Sequence, residues 1–237
     1  MDLKRRLAAL FEVRPAWYTD LLTRIATRLN RTAIEGVLSA GSTMPDFVLP
    51  NAEGELVFSD ELLAQGPLVV GFFRGGWCPF CSATLKALQE VLPDILAQGA
   101  TLVAMSPDTA GHIRATKQPL GLQFELLSDV DNATALRFGV VYPVPAEYSK
   151  ALLSFGIDLT RRLGAAAHLL PMPALFIAGT DGRLRYAYAN GDVTDRTEPA
   201  AIVALLRSIR SDDPPVPGDD GCPVASATPD AGANDAL

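Results

Sequence analysis

The chain has 237 residues, about half of them apolar and a fifth charged, which is an ordinary globular balance with enough length to bury a core without cross-links. Its formal net charge of −7 comes from the segment beginning at Ser211, which carries six Asp and neither Lys nor Arg; the rest sets 21 acidic residues against 20 basic ones. That body offers no basic face for nucleic acid, and three cysteines are too few for a disulfide-stapled scaffold.

Lys4, Arg5 and Arg6 followed by Leu7–Phe11 resemble the opening of a signal peptide. Glu12 and Arg14 end the apolar stretch, and no small-residue cleavage site follows. Nothing approaches the roughly 20 apolar residues that span a bilayer, so the expectation is a cytoplasmic protein without a membrane partner. Residues 1–40 read as a helical extension. Leu21, Leu22, Ile25 and Leu29 recur at helical spacing with Arg24, Arg28 and Arg31 between them. Such a stripe covers one edge of a domain or packs on a second copy, and a homodimer is therefore an expectation.

Residues 41–210 alternate strand and helix signals. Residues 46–49 and 55–58 flank Asn51-Ala52-Glu53-Gly54 and predict a hairpin. Residues 67–73 are a short apolar run that predicts a buried strand, followed by a helix over 79–98 with Pro93 inside it. A second strand (101–105), a second helix (108–117) and a short strand (124–127) come next. One or two helices are expected over 146–163, then a strand over 174–178. A turn at Asp181-Gly182 leads to a partner strand over 184–189. Pro199 opens a last helix to Arg210, with Thr197 as the expected cap. A βαβ unit followed by a ββα unit predicts an α/β domain: a mixed central sheet flanked by helices on both faces. Residues 211–237, rich in Pro, Asp, Ala and Gly, read as a disordered acidic tail.

The chemistry concentrates in Phe73-Arg74-Gly75-Gly76-Trp77-Cys78-Pro79-Phe80-Cys81, which leaves a buried strand and opens a helix. Pro79 suits the first helical position, which puts Cys78 at the cap and Cys81 in the first turn. Free amides and the helix dipole there favour a thiolate, the form of cysteine that attacks. Residues three apart on a helix share a face, close enough for a disulfide after small adjustment. Gly75 and Gly76 allow a sharp turn, Trp77 offers a flat apolar surface, and Arg74 adds positive charge. The plainer readings are two inert core cysteines or half a zinc site. A zinc site lacks its second cysteine pair, because only Cys222, His112 and His168 remain and none stands at ligand spacing. Cys222, in the tail, is either an idle residue or a resolving thiol.

These segments are similar to thioredoxin-like proteins, and more closely to the peroxiredoxin-like branch of the alkyl hydroperoxide reductase C and thiol-specific antioxidant family. The residues that carry the resemblance are Met44-Pro45-Asp46-Phe47, the Phe73–Cys81 block, Ser106-Pro107-Asp108, Leu127-Ser128-Asp129 and residues 172–177. The resemblance implies a thioredoxin-like fold and a cis bond before Pro173, packed against the cysteine pair. The family's peroxide motif resembles Pro-x-x-x-Thr-x-x-Cys with a separate arginine. Here Cys81 takes the peroxidatic position, Cys78 replaces the threonine and Arg74 the proline. Arg74 or Arg196 would stand for the distant arginine, although either reads equally as a surface or cap-side charge. Thioredoxin likeness makes Cys78 the attacking thiol; peroxiredoxin likeness makes it Cys81.

The expectation is a thiol-dependent oxidoreductase that uses the Cys78–Cys81 pair on a disulfide or hydroperoxide, without metal or organic cofactor. A thioredoxin-like or glutathione reductant would restore it. The alternatives are a peroxidase with Cys81 as peroxidatic residue, and a non-enzymatic redox-sensing or binding protein.

Overall fold

A computed structural model describes residues 2–164 and 168–210. The expected acidic tail and Cys222 lie outside the described residues. Two helices, α1 (Leu3–Glu12) and α2 (Ala16–Thr32), precede a short antiparallel hairpin, β1 (Val48–Pro50) and β2 (Leu56–Phe58). After α3 (Ser59–Gln65) come β3 (Leu68–Phe72), α4 (Pro79–Ala97), β4 (Thr101–Ser106), α5 (Ala110–Leu120) and β5 (Glu125–Ser128). Then follow α6 (Ala133–Arg137), β6 (Val141–Pro143), α7 (Ala146–Ser154), α8 (Leu159–Leu163) and β7 (Leu169–Pro171). The chain continues through β8 (Ala174–Ala178), β9 (Leu184–Ala189) and α9 (Pro199–Arg210).

The central sheet has the order β5-β4-β3-β8-β9. β3 runs parallel to β4 and antiparallel to β8, so the sheet is mixed as expected. Its centre is apolar on both sides because alternate residues of each strand face opposite layers. Leu68, Val70 and Phe72 of β3 join Val103, Met105, Phe176 and Phe138 in one layer. Val69, Leu102, Ala104, Leu175 and Ile177 face the other, with α4 and α9. Phe72, Phe138 and Phe176 form a ring cluster with centroids 4.9–6.0 Å apart.

The stripe Leu21, Leu22, Ile25 and Leu29 of α2 is buried in the α4-side core together with Leu3 and Leu7 of α1. The chain's own domain therefore covers the face that suggests a second copy in the sequence. α1 also lies against α4, where Arg6 makes a two-pronged ion pair with Glu90.

Three details differ from the sequence expectation. The residue before α9 is Glu198, not Thr197: the Glu198 carbonyl accepts from Ala201 and Ile202, while the Thr197 hydroxyl pairs with Tyr186 Oη at 3.0 Å. The Glu198 carboxylate reaches back 3.1 and 2.7 Å to the free amides of Leu3 and Lys4, and so caps α1 across the whole chain. The bond before Pro173 is trans, since the described residues contain no cis peptide. Met172 is held by its amide, which donates to Val140 O at 2.6 Å beside the β6–β7 ladder, so the chain enters β8 extended. Extended backbone is what a residue before proline ordinarily adopts. Finally, β6 and β7 form a small antiparallel pair that the sequence does not announce.

Glu198→Ala is expected to lower stability by about 1 kcal/mol by leaving the Leu3 and Lys4 amides without their carboxylate, while Asp2 still accepts from the Arg5 amide, and this reads as a lower urea midpoint at unchanged m-value.

Candidate active site

β3 and α4 place the two thiols. β3 is buried throughout and ends at Phe72, and Pro79 occupies the first position of α4. Cys78 is the residue before the helix and Cys81 lies in its first turn, as the proline spacing implies. The turn between is tight. Gly75 has φ +138°, a region disfavoured for side-chain-bearing residues, and a Cβ there would come 2.4 Å from the Trp77 indole nitrogen. A Cβ on Gly76 would lie 1.8 Å from Thr116 Oγ1. The Gly76 amide donates to Asp108 Oδ2 at 2.9 Å. Asp108 is fully buried and also receives Arg162 of α8 through bonds of 2.6 and 2.9 Å.

Cys78 is 1 % exposed and Cys81 2 %, and both are free thiols. Arg74, only 3 % exposed, points its guanidinium into the same space. Its Nη2 donates to Cys78 Sγ at 2.9 Å and its Nη1 to Tyr148 Oη at 2.6 Å. The guanidinium lies 5.7 Å from the Trp77 ring centroid and 5.9 Å from that of Tyr148. Among the described residues no carboxylate forms an ion pair with Arg74.

These surroundings split the two thiols. Burial pushes the Cys78 thiol up, but the hydrogen bond with Cys81 and the charge of Arg74 outweigh it and hold Cys78 well below the ordinary thiol range. Cys81 moves the opposite way: its hydrogen bond with Cys78, burial and the neighbouring Cys78 charge hold it well above. The two shifts run in opposite directions, so the first proton to leave the pair is favoured to come from the sulfur that Arg74 touches.

Cys81 opens onto a cavity of about 30 Å³, lined by Phe73, Leu85, Pro173, Tyr188, Arg196 and Thr197 among others. That volume admits a molecule of one or two waters' size. Arg196 Nη1 donates to the Asp192 carbonyl at 2.7 Å and to that of Asp195. Its Nη2 is buried with no protein partner. Burial lowers the Arg196 pKa, and Cys81 is the strongest influence opposing that shift. The structure thus brings together Arg74, Trp77, Cys78 and Cys81, with Pro173 and Arg196 on the far wall beside Cys81. His112 stands apart, 3.2 Å from Thr109 Oγ1. Sequence reasoning does not single out Tyr148, Asp108 or Arg162 as site residues. Tyr148 shares an inward helical face with Ala151 and Leu152, but nothing in the sequence says that its hydroxyl meets Arg74.

A mixed sheet whose βαβ half carries a cysteine pair at the N-terminus of its helix defines a thioredoxin-fold thiol protein. Residues 40–187 match the AhpC/TSA family, and the chain belongs to that family. Among curated relatives it is 29 % identical over 103 residues to peroxiredoxin Bcp of Escherichia coli, and 28 % identical over 104 residues to a bcp peroxiredoxin of Coxiella burnetii. Each match covers 44 % of this chain; it covers 65 % of the first relative and 68 % of the second. The crystallographically studied bacterioferritin comigratory protein of Xanthomonas campestris superposes with a TM-score of 0.56 at 18 % identity, over 73 % of this chain and 98 % of that one. No helix among the described residues is long and apolar enough to cross a membrane.

A group whose pKa is depressed by folding stabilises the fold above its unfolded value, and that contribution is lost as pH falls through the folded value. Reduced protein is therefore expected to keep one thiolate absorbance at 240 nm well below the ordinary thiol pKa of about 8.5, and to show the second only above it. Stability owed to Cys78 should fall as the first signal disappears on acidification. Arg74→Met should move the first titration up toward the ordinary value.

Proposed function

We propose that the protein is a thiol peroxidase in which Cys81 attacks a hydroperoxide and Cys78 activates and then resolves it. The observation that carries this reading is the small cavity lined by both Cys81 and Arg196, whose guanidinium keeps one buried arm without a protein partner. A buried guanidinium N–H without a partner is costly, and a peroxide oxygen in the cavity would satisfy it. A cavity of this size suits hydrogen peroxide, with Phe73, Leu85 and Pro173 forming its apolar walls. Alkyl peroxide reduction is the activity of the Xanthomonas protein whose fold this chain shares.

The resting pair holds one proton and one negative charge. Cys81 passes its proton to Cys78 as its sulfur attacks the distal oxygen of ROOH. The O–O bond breaks, the S–O bond forms, and the leaving alkoxide takes the proton back from Cys78. Cys81 is now a sulfenic acid and the alcohol is released. The restored Cys78 thiolate displaces hydroxide from that sulfur, giving the Cys78–Cys81 disulfide and, with one proton, water. A cellular dithiol or two molecules of glutathione return two electrons and two protons. Arg196 stabilises charge developing on the peroxide oxygens, and Arg74 holds the Cys78 charge. Pro173 forms part of the cavity wall, and Trp77 flanks the Arg74 guanidinium. Near-complete burial of both sulfurs favours this reading over direct exchange with protein disulfides, which need an exposed attacking thiol.

Peroxide consumption with a dithiol reductant tests the scheme. Cys81→Ser should abolish it. Cys78→Ser should still yield a trappable sulfenic acid at Cys81, more slowly and with no internal disulfide. Arg196→Met should lower kcat/KM for peroxide by about 100-fold. Undiminished consumption by Cys81→Ser, or rapid oxidation by disulfide substrates with sluggish peroxide reaction, would overturn the proposal.

A further inference from the structure

The geometry points to Tyr148 as a positioning residue of the thiol pair: it holds one arm of the Arg74 guanidinium so that the other arm lies on Cys78 Sγ. The inference rests on Cys78 and Cys81 cycling between dithiol and disulfide, as proposed above.

A guanidinium is a rigid planar fork, so fixing one terminal nitrogen aims the other. Tyr148 Oη accepts from Nη1 at 2.6 Å while Nη2 donates to Cys78 Sγ at 2.9 Å. Tyr148 itself is 1 % exposed. It is stacked 6.5 Å from Tyr18 of α2. Tyr142 of β6, 2 % exposed, lies close enough to feel the Arg74 charge. Three tyrosines from three separate elements therefore surround one cation.

The identity of the acceptor matters. A carboxylate in place of Tyr148 would neutralise Arg74 and compete with the thiol for its charge. A tyrosine accepts the hydrogen bond while remaining neutral, and burial pushes both Tyr148 and Tyr142 further from ionisation. The groups that face Cys78 from all sides are Arg74, Cys81, Tyr18, Tyr142, Tyr148 and, more distantly, Arg196. Among them the thiols are the groups whose ionisation places negative charge beside Arg74, since burial holds the tyrosines back from ionising. Oxidation to the disulfide removes that charge and leaves Arg74 buried without a counter-ion. The clamp thus favours the reduced pair and makes the disulfide easy to reduce, as in any dithiol whose thiolate is specifically stabilised.

The test uses the full chain carrying carbon-13 at the cysteine Cβ positions, so that NMR titrates each buried thiol separately without a reagent having to reach it. A glutathione equilibrium measures the potential. Tyr148→Phe is expected to raise the Cys78 midpoint by about one pH unit and to shift the glutathione equilibrium about tenfold toward the disulfide. In an Arg74→Met background the same substitution should move neither quantity, because the residue through which Tyr148 acts is gone. Arg74→Lys, which keeps the charge without the two-armed reach, should fall between wild type and Arg74→Met. An unchanged Cys78 midpoint and glutathione equilibrium in Tyr148→Phe would overturn the inference. So would an equal shift with and without Arg74, which would mark Tyr148 as merely structural. These readouts contain no peroxide: loss of the peroxidase proposal would leave them standing, and their failure would leave the peroxidase proposal intact.

Discussion

One buried positive charge organises this molecule. Arg74 leaves β3 into the interior and meets a sulfur where most buried guanidinium groups meet a carboxylate. Taking a guanidinium out of water is tolerable only if charge and hydrogen bonds are returned to it. Here the charge comes from the Cys78–Cys81 pair, the neutral hydrogen bond from Tyr148, and the flat faces from Trp77 and Tyr148. The glycine turn, the helix start at Pro79 and the aromatic wall from α2, β6 and α7 all serve to hold that arrangement.

The second cation stands differently. Arg196 is fastened by backbone carbonyls of its own loop, lines the cavity that Cys81 shares and keeps one buried arm without a protein partner. The site therefore separates two electrostatic tasks. Arg74 decides where the resting charge sits, and Arg196 faces the space in which new charge would develop. Cys78 and Cys81 lie between them one helical turn apart, so a proton can pass from one sulfur to the other without a mobile base.

Much of the sheet is legible in the sequence because its strands obey a simple period. Residues 68–72 and 174–178 are apolar on both faces, and Asp181-Gly182 marks their hairpin neighbour plainly. Pro79 likewise sets the start of α4, and with it the places of both thiols. What is not legible depends on contacts between distant segments. β6 and β7 are three residues each, both end in proline, and pair across the two helices between them. Glu198 looks like an ordinary surface acid because its partners, Leu3 and Lys4, lie at the other end of the chain. The expected cis bond at Pro173 comes from resemblance alone, whereas the backbone there follows the local ladder. Arg74 is visible as a charge beside the motif, but a linear reading cannot assign its two arms to Cys78 and to a tyrosine 74 residues away.

Asp108 ties the reactive turn to a distant helix. Its carboxylate accepts from the Gly76 amide at the base of the turn and from two nitrogens of Arg162 in α8, with Oδ2 shared between the two partners. A single substitution at Asp108 would therefore loosen the turn and α8 together, so the placement of the thiols and the placement of that helix are coupled through one side chain.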